Sequence, residues 1–353
     1  MSSASSDDIV PVVIDNGSTH VRAGFAGYRA PEVCVRTQLH ARGAEQLAGG
    51  AALEMDGFEV KYPMSRGEVT DWDAMEAVWR HVLEEELKVS PLEHPILVTD
   101  APLTSKAARE KALHILMESL DVPAAYMSSR AELTVYGAQG DTGLAVHVGG
   151  ESTFTCPVYG GYLLPHAFQR LPLGFKDVTR LLGDALGRRD VDVKGEQLRE
   201  LAESCVCAGP QGELHDAHGG AVTVGPERYE CMECLFDPSR AGAQFPSTGG
   251  GIVDMAVKSV MAIDQDCRQE IVDCVVLGGA AVQVPGFAQR VQSELESRLG
   301  PRLAPKVVLE DAPGDLAFRG AARITANENF APMWISKEEY DEYGPGIVHR
   351  KCF

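Results

Sequence analysis

Residues Val12–Ala26 read VVIDNGSTHVRAGFA, and residues Leu144–Val158 read LAVHVGGESTFTCPV. Each stretch is a short apolar run, a turn of glycine and hydroxyl residues, and a second run. Apolar, β-branched residues on both sides of a glycine-containing turn specify a β-hairpin. The chain therefore writes one hairpin twice. The copies differ where the first strand ends, at Asp15 in one and His147 in the other.

A tight turn of small residues presents backbone N–H groups as an anion cradle. Two such turns, one per domain, suit a polyphosphate gripped from two sides. A carboxylate at the end of the first strand suits a hydrated divalent ion, because Mg²⁺ takes oxygen ligands and keeps most of its waters. A third glycine turn, Gly278-Gly279, lies between the apolar run CVVL and a helical pattern and suits contact with a nucleoside. Each motif alone is a common hairpin or turn; the three in this order are far more specific.

Working outward, the pattern is α/β. HPILVTDAP (His94–Pro102) reads as a buried strand and loop. Thr104 is then placed to cap a helix through SKAAREKALHILMESL, with Ala112, Ile115, Leu116 and Leu120 at helical spacing. DWDAMEAVWRHVLEEELKV carries a stripe of Met75, Val78, Trp79, Val82, Leu83 and Leu87, with Thr70 and Asp73 spaced as a capping box. Phe287, Val291, Leu295 and Leu299 mark a third helix that Gly300-Pro301 stops. Glycine- and alanine-rich loops are expected at Ala41–Gly57, Gly209–Gly220 and Pro238–Gly251.

A chain of 353 residues exceeds what one hydrophobic core usually organises, so two domains are expected. The 32 basic and 51 acidic residues leave a net charge of −19, which argues against direct binding to nucleic acid. The N-terminal MSSASSDD has no basic segment and IVPVVI is too short for a signal core, so an intracellular chain with reduced cysteines is expected. No apolar run approaches membrane-spanning length. Cys205, Cys207, Cys231 and Cys234 combine a C-x-C with a C-x-x-C, a poor match to structural zinc spacing, and free thiols are expected over zinc.

The order of the three glycine turns is that of the actin, Hsp70 and sugar-kinase superfamily, and the chain resembles its actin branch. The resemblance is carried by DNGSTHVRAGFAGYRAPE, by KYPMSRGEVTDWDAMEAVWRHVLEEELKVSPLEHPILVTDAPL, by TGLAVHVGGESTFTCPVYGGYLLPHAFQRL and by the C-terminal MWISKEEYDEYGPGIVHRKCF. It fades between Arg36 and Gly57 and between Leu186 and Gly220. It implies an α/β, actin-like two-lobed fold, with duplicated ribonuclease-H-like domains around a nucleotide cleft. The first lobe is then residues 1–137 with 316–353, including a shortened small subdomain near 37–61. The second lobe is 138–315, with a small subdomain near 176–245.

By resemblance, the second turn of the family carries carboxylates at the places of His147 and Gly150, and these hold the magnesium-bound waters. The family's histidine beside the attacking water corresponds to Phe154, and its water-positioning glutamine to Arg130. Imidazole is a poor Mg²⁺ ligand, phenylalanine moves no proton, and a guanidinium is no base. No catalytic residue is therefore expected, and the chain reads as a pseudo-ATPase. The phosphate cradle is better kept, in Asp15, Gly17, Ser18, Thr19 and Gly149, with Arg22 at the place of a phosphate-contacting lysine. Gly278 and Gly279 keep the nucleoside turn, but Ala280 and Ala281 replace hydroxyls and an extra residue precedes Pro285. Leu316-Ala317 stands where a lysine–aromatic pair borders the base, and Glu203 matches a ribose-contacting glutamate. Weak ATP or ADP binding and an empty cleft are both compatible with this. Asp15 alone is a weak metal position, and Mg²⁺ is disfavoured.

The lobe-tip loop that contacts the next subunit of a filament is reduced to HARGAEQLAGGAALEMDG, and the apolar plug becomes PSRAGAQFPS with Arg240 and Gln244. Long homopolymers are not expected, since they need such contacts to repeat without closure. The groove that in the family receives partner helices keeps Tyr136, Tyr162, Ile324 and Met333, while Asn327 replaces an apolar residue; packing at a lobe junction is the alternative role. Protein partners are expected there, actin or actin-binding proteins among them, and neither nucleic acid nor membrane. The expected setting is the cytoplasmic cytoskeleton, with the nucleus as a second compartment. An active, polymerising ATPase is the competing reading.

Overall fold

The computed structural model describes residues 9–42, 45–48, 59–208, 224–242 and 250–352. Most of the loops expected at Ala41–Gly57, Gly209–Gly220 and Pro238–Gly251, including Gln244, lie outside the described residues. The chain divides into two compact units, Met1–Gln139 with Asp315–Phe353, and Gly140–Gly314.

The first unit is built on a six-stranded sheet in the order Ile335–Ser336, Ala124–Ser129, Ile96–Asp100, Val12–Asn16, His20–Phe25, Val33–Arg36. Val12–Asn16 is buried at every residue, as a central strand covered on both faces requires. It pairs in parallel with Ile96–Asp100 and antiparallel with His20–Phe25, in a register that sets Asp15 opposite Arg22. Helix Trp72–His81 lays Met75, Val78 and Trp79 on the core. Leu39–Arg42 pairs with Glu45–Ala48 and Glu59–Lys61 in a separate small sheet.

The late segment enters this unit through helix Leu316–Thr325, which packs on helix Arg130–Gly137. The two backbones touch at glycine. A Cβ at Gly320 would lie 2.0 Å from the Leu133 carbonyl oxygen, and one at Gly137 would lie 2.1 Å from that of Leu316. Only glycine permits this approach.

The second unit repeats the theme. Its six-stranded sheet runs Tyr162–Leu163, Thr153–Tyr159, Gly143–Val148, Val275–Gly278, Val307–Val308, with Gln169–Leu171 also on Thr153–Tyr159. Gly143–Val148 is buried throughout and pairs antiparallel with Thr153–Tyr159 and in parallel with Val275–Gly278. Both hairpins read from the sequence are present, each with a parallel strand beside its first strand. Helices Phe175–Gly187, Ile252–Ala262 and Phe287–Leu299 bury Leu182, Ala256 and Leu295 in this unit's core.

Two helix starts differ from the sequence reading. Asp71, not Thr70, caps the helix at Trp72 by accepting from the Ala74 N–H at 3.0 Å. Ser105, not Thr104, caps the helix at Lys106, and the Thr104 hydroxyl donates to the Ala101 carbonyl instead. In each case the cap falls on the residue one later, and Asp and Ser are stronger N-caps than Thr. Among the described residues, no helix is long and apolar enough to cross a membrane.

Candidate functional site

In the first unit, Asp15 sits at the carboxyl end of the central strand, 2 % exposed. Its Oδ1 accepts from Arg130 Nη2 at 2.8 Å, from Arg130 Nε at 3.2 Å and from the Thr99 hydroxyl at 2.7 Å. Arg130 Nη2 also donates to the Asn16 carbonyl. Burial alone would raise the Asp15 pKa; the charges of Arg130 and Arg22, with the bonds from Thr99 and Arg130, outweigh it and hold the carboxyl below its ordinary value. Arg22 is itself tied to Asp315, Nε to Oδ1 at 2.9 Å. Arg130 and Arg22 therefore each have a carboxylate partner within this unit.

The turn between the strands is pinned. Gly17 N–H donates to the His20 carbonyl at 3.0 Å, and Thr37 hydroxyl donates to the Gly17 carbonyl at 2.6 Å. Ser18 Oγ accepts from the Gly67 N–H at 3.0 Å, and Thr19 Oγ1 lies 3.2 Å from His20 Nδ1. Among the described residues the Ser18 and Thr19 N–H groups take no internal bond, and they are the turn's donors for an anion. A cavity of about 230 Å³ adjoins this region, with Asn16, Thr99, Trp72 and Trp79 in its wall. Trp79 Nε1 donates to Asn16 Oδ1 at 2.9 Å, which fixes the indole beside the strand end.

In the second unit, His147 stands opposite Phe154 in the hairpin register. Their rings stack, with centroids 5.0 Å apart and planes 11° from parallel, and Phe168 abuts Phe154 at 6.2 Å. Both are nearly buried, at 9 % and 5 % exposure. Gly149 closes the turn by donating to the Ser152 carbonyl at 2.9 Å, while the Gly149 and Gly150 carbonyls accept from Phe175 and Lys176 at the start of a helix. Glu151, in the same turn, pairs with Lys176 at 2.8 Å. Gly278 ends its strand opposite His147. Gly279 follows with φ +90°, where a Cβ would meet the Val148 carbonyl oxygen at 2.2 Å and His147 Cε1 at 3.3 Å, so this turn requires glycine. Glu203 lies on helix Gly195–Cys205, about half exposed, 3.8 Å from Arg199.

The residues of the expected partner groove fall in both units. Ile324 and Met333 pack on the first core. The Tyr136 carbonyl accepts from Arg323 at 3.3 Å, and the Asn327 side chain accepts from the Asn329 N–H at 3.0 Å, capping the turn Glu328–Met333. Tyr162, in the second unit, is 61 % exposed. Arg240 is in an exposed turn and pairs with Asp237. Cys205, Cys207, Cys231 and Cys234 are free thiols. Burial pushes Cys205 up to about 11, Cys234 up to about 12 and Cys231 higher still, which disfavours the thiolate a metal needs. Among the described residues no group of His, Cys, Asp and Glu has metal-holding geometry.

A divalent ion at Asp15 would need carboxylate lone pairs facing open space and further oxygen ligands. Here Oδ1 already accepts from Arg130 and Thr99, and a guanidinium occupies the adjoining position. The residues present do not fit the ion. Thr99 and Asp315 went unnoticed in the sequence reading. Thr99 had a signal, since it ends an apolar strand pattern as Asp15 does; Asp315, 293 residues from Arg22, had none.

Two hairpin-centred sheets, a glycine turn in each and a third at Gly278-Gly279 make the arrangement that the sequence resemblance implied. The family model for actin matches residues 6–205 and 210–353, nearly the whole chain. The chain belongs to the actin family.

Proposed function

We propose that this chain is a divergent actin-related subunit that works through protein contacts and does not turn over nucleotide. The observation that carries the reading is the buried stack of His147 on Phe154. The family resemblance assigns those positions a metal-water carboxylate and a proton-handling histidine. A phenyl ring accepts no proton, and an imidazole pressed face-on against it is no oxygen ligand for magnesium. Arg130, at the place of a water-positioning glutamine, is turned onto Asp15. Removing one such group typically costs about two to four orders of magnitude in rate, and four are changed together here, at Arg130, His147, Gly150 and Phe154.

Nucleotide binding, where it occurs, is weak. Members of the family bind ATP or ADP with magnesium; here Ser18 and Thr19 keep turn donors, but Arg22 is held by Asp315. The chain acts in a cytoskeletal assembly, in the cytoplasm with the nucleus as a second compartment, and does not form long homopolymers. Its protein partners, actin or actin-binding proteins, engage the residues that the family resemblance assigns to partner binding: Tyr136, Ile324, Asn327 and Met333 in the first unit, and Tyr162 in the second. The test is sedimentation with Mg-ATP in polymerising salt, with phosphate release followed in parallel. The chain is expected to stay in the supernatant and release no phosphate above a no-protein control. Pelleting filaments accompanied by phosphate release overturn the reading.

A further inference from the structure

We infer that Arg130 is a resident cation, taking at Asp15 the place of a divalent metal, so that the first turn holds a polyphosphate without metal. The inference rests on the proposed loss of the metal centre but makes a separate claim, that a cation has been built in and not merely lost. Three observations carry it. The fork of Arg130 meets Asp15 through two nitrogens, Nη2 at 2.8 Å and Nε at 3.2 Å, and ties the same group to the Asn16 carbonyl. Asp15 is buried, its side chain 3 % exposed, and Arg130 is mostly covered, its side chain 11 % exposed. Thr99 supplies the remaining bond to the same oxygen at 2.7 Å.

A buried carboxylate needs a compensating charge, since an isolated one is expelled by its desolvation cost. In a metal site the ion supplies it. Here a guanidinium that cannot lose its proton supplies it permanently. Among the described residues Arg130 donates through Nε and Nη2 and not through Nη1, which leaves Nη1 as a donor for a ligand oxygen. Two backbone N–H groups, Ser18 and Thr19, lie in the turn that Asp15 leads into. An arginine edge with backbone donors is a phosphate-binding set. The ligand chemistry is a di- or triphosphate, free or on a nucleotide, and these are separated by comparing inorganic tripolyphosphate with ATP.

The test uses the whole chain and Tb³⁺ alone, excited through Trp79, whose indole is bonded to Asn16. The variants are Arg130→Gln, Asp15→Asn, and both together. The unmodified chain is expected to show no terbium emission that Asp15→Asn removes. Arg130→Gln is expected to gain a site at least tenfold tighter, which adding Asp15→Asn abolishes. Arg130→Lys keeps a charge and is expected to stay metal-free; it covers the case in which Arg130→Gln does not fold. A second arm titrates tripolyphosphate and ATP with chelator present, where Arg130→Gln is expected to weaken both by about tenfold. An Asp15-dependent terbium site in the unmodified chain, no gain in Arg130→Gln, or undiminished tripolyphosphate binding in that variant overturns the inference. None of these readouts depends on hydrolysis, so the resident cation can fail while the non-catalytic reading stands, and the reverse.

Discussion

The two hairpins share a strand plan and differ in what fills the position beside the turn. In the first, the central strand ends in Asp15, and charges meet: Asp15 with Arg130, and Arg22 with Asp315. In the second, the strand ends in His147, and rings meet: His147 on Phe154, with Phe168 behind. One site kept a carboxylate and had to supply it with a counter-charge. The other holds an imidazole and fills the space with aromatic surface, which needs no partner charge. One backbone frame thus accommodates either filling, provided that each buried position is satisfied.

The largest effects separate ionic from apolar filling. Arg130→Ala strands a buried carboxylate and should cost about 3–5 kcal/mol in unfolding free energy. Phe154→Ala leaves a cavity between His147 and Phe168 and should cost about 3–5 kcal/mol. The two are told apart by pH. Without Arg130, burial raises the Asp15 pKa, so the carboxyl protonates as the solution is acidified and the deficit of Arg130→Ala shrinks. The deficit of Phe154→Ala should stay flat over the same range. Denaturant melts of both variants between neutral pH and pH 4 check this, and parallel pH profiles would erase the distinction between the hairpins.

The unmodified chain gives a smaller effect of the same origin. The folded-state pKa of Asp15 lies below its ordinary 3.8. A lowered carboxylate pKa contributes stability that is fully present above the unfolded value, and that stability is lost as pH falls through the folded value. Acid should therefore destabilise the chain below about pH 4, and Asp15→Asn should flatten that part of the profile. Equal slopes with and without Asp15 would mean that the ion pair carries no linkage.

The smallest effect concerns the ring stack. A double-mutant cycle of His147→Ala and Phe154→Ala should return a coupling of about 0.5–1.5 kcal/mol. Independent, additive losses would show that the rings only share a register.

Both hairpins were readable because glycine turns between apolar strands are local signals, and the family resemblance extended them to a two-lobed fold. What was not readable lies in pairings across the chain. Asp15 and Arg130 are 115 residues apart, and Arg22 and Asp315 are 293 apart; nothing in either local pattern names the partner. The helix starts at Asp71 and Ser105 were missed by one residue because adjacent capping residues compete, and short-range spacing does not rank them. The stack of His147 on Phe154 was latent in the hairpin register, since seven positions across a tight turn place the two side chains opposite.

The central claim is that neither hairpin supports hydrolysis any longer, and single-turnover phosphate release tests it most directly. The unmodified chain, given ATP and Mg²⁺, should match a no-protein control. Activity should require reversion at all four positions, Arg130→Gln, His147→Asp, Gly150→Asp and Phe154→His, because groups that act as a unit do not contribute additively. Phosphate release by the unmodified chain well above that control, abolished by Phe154→Ala or Asp15→Asn, would contradict the account and make His147 a working residue.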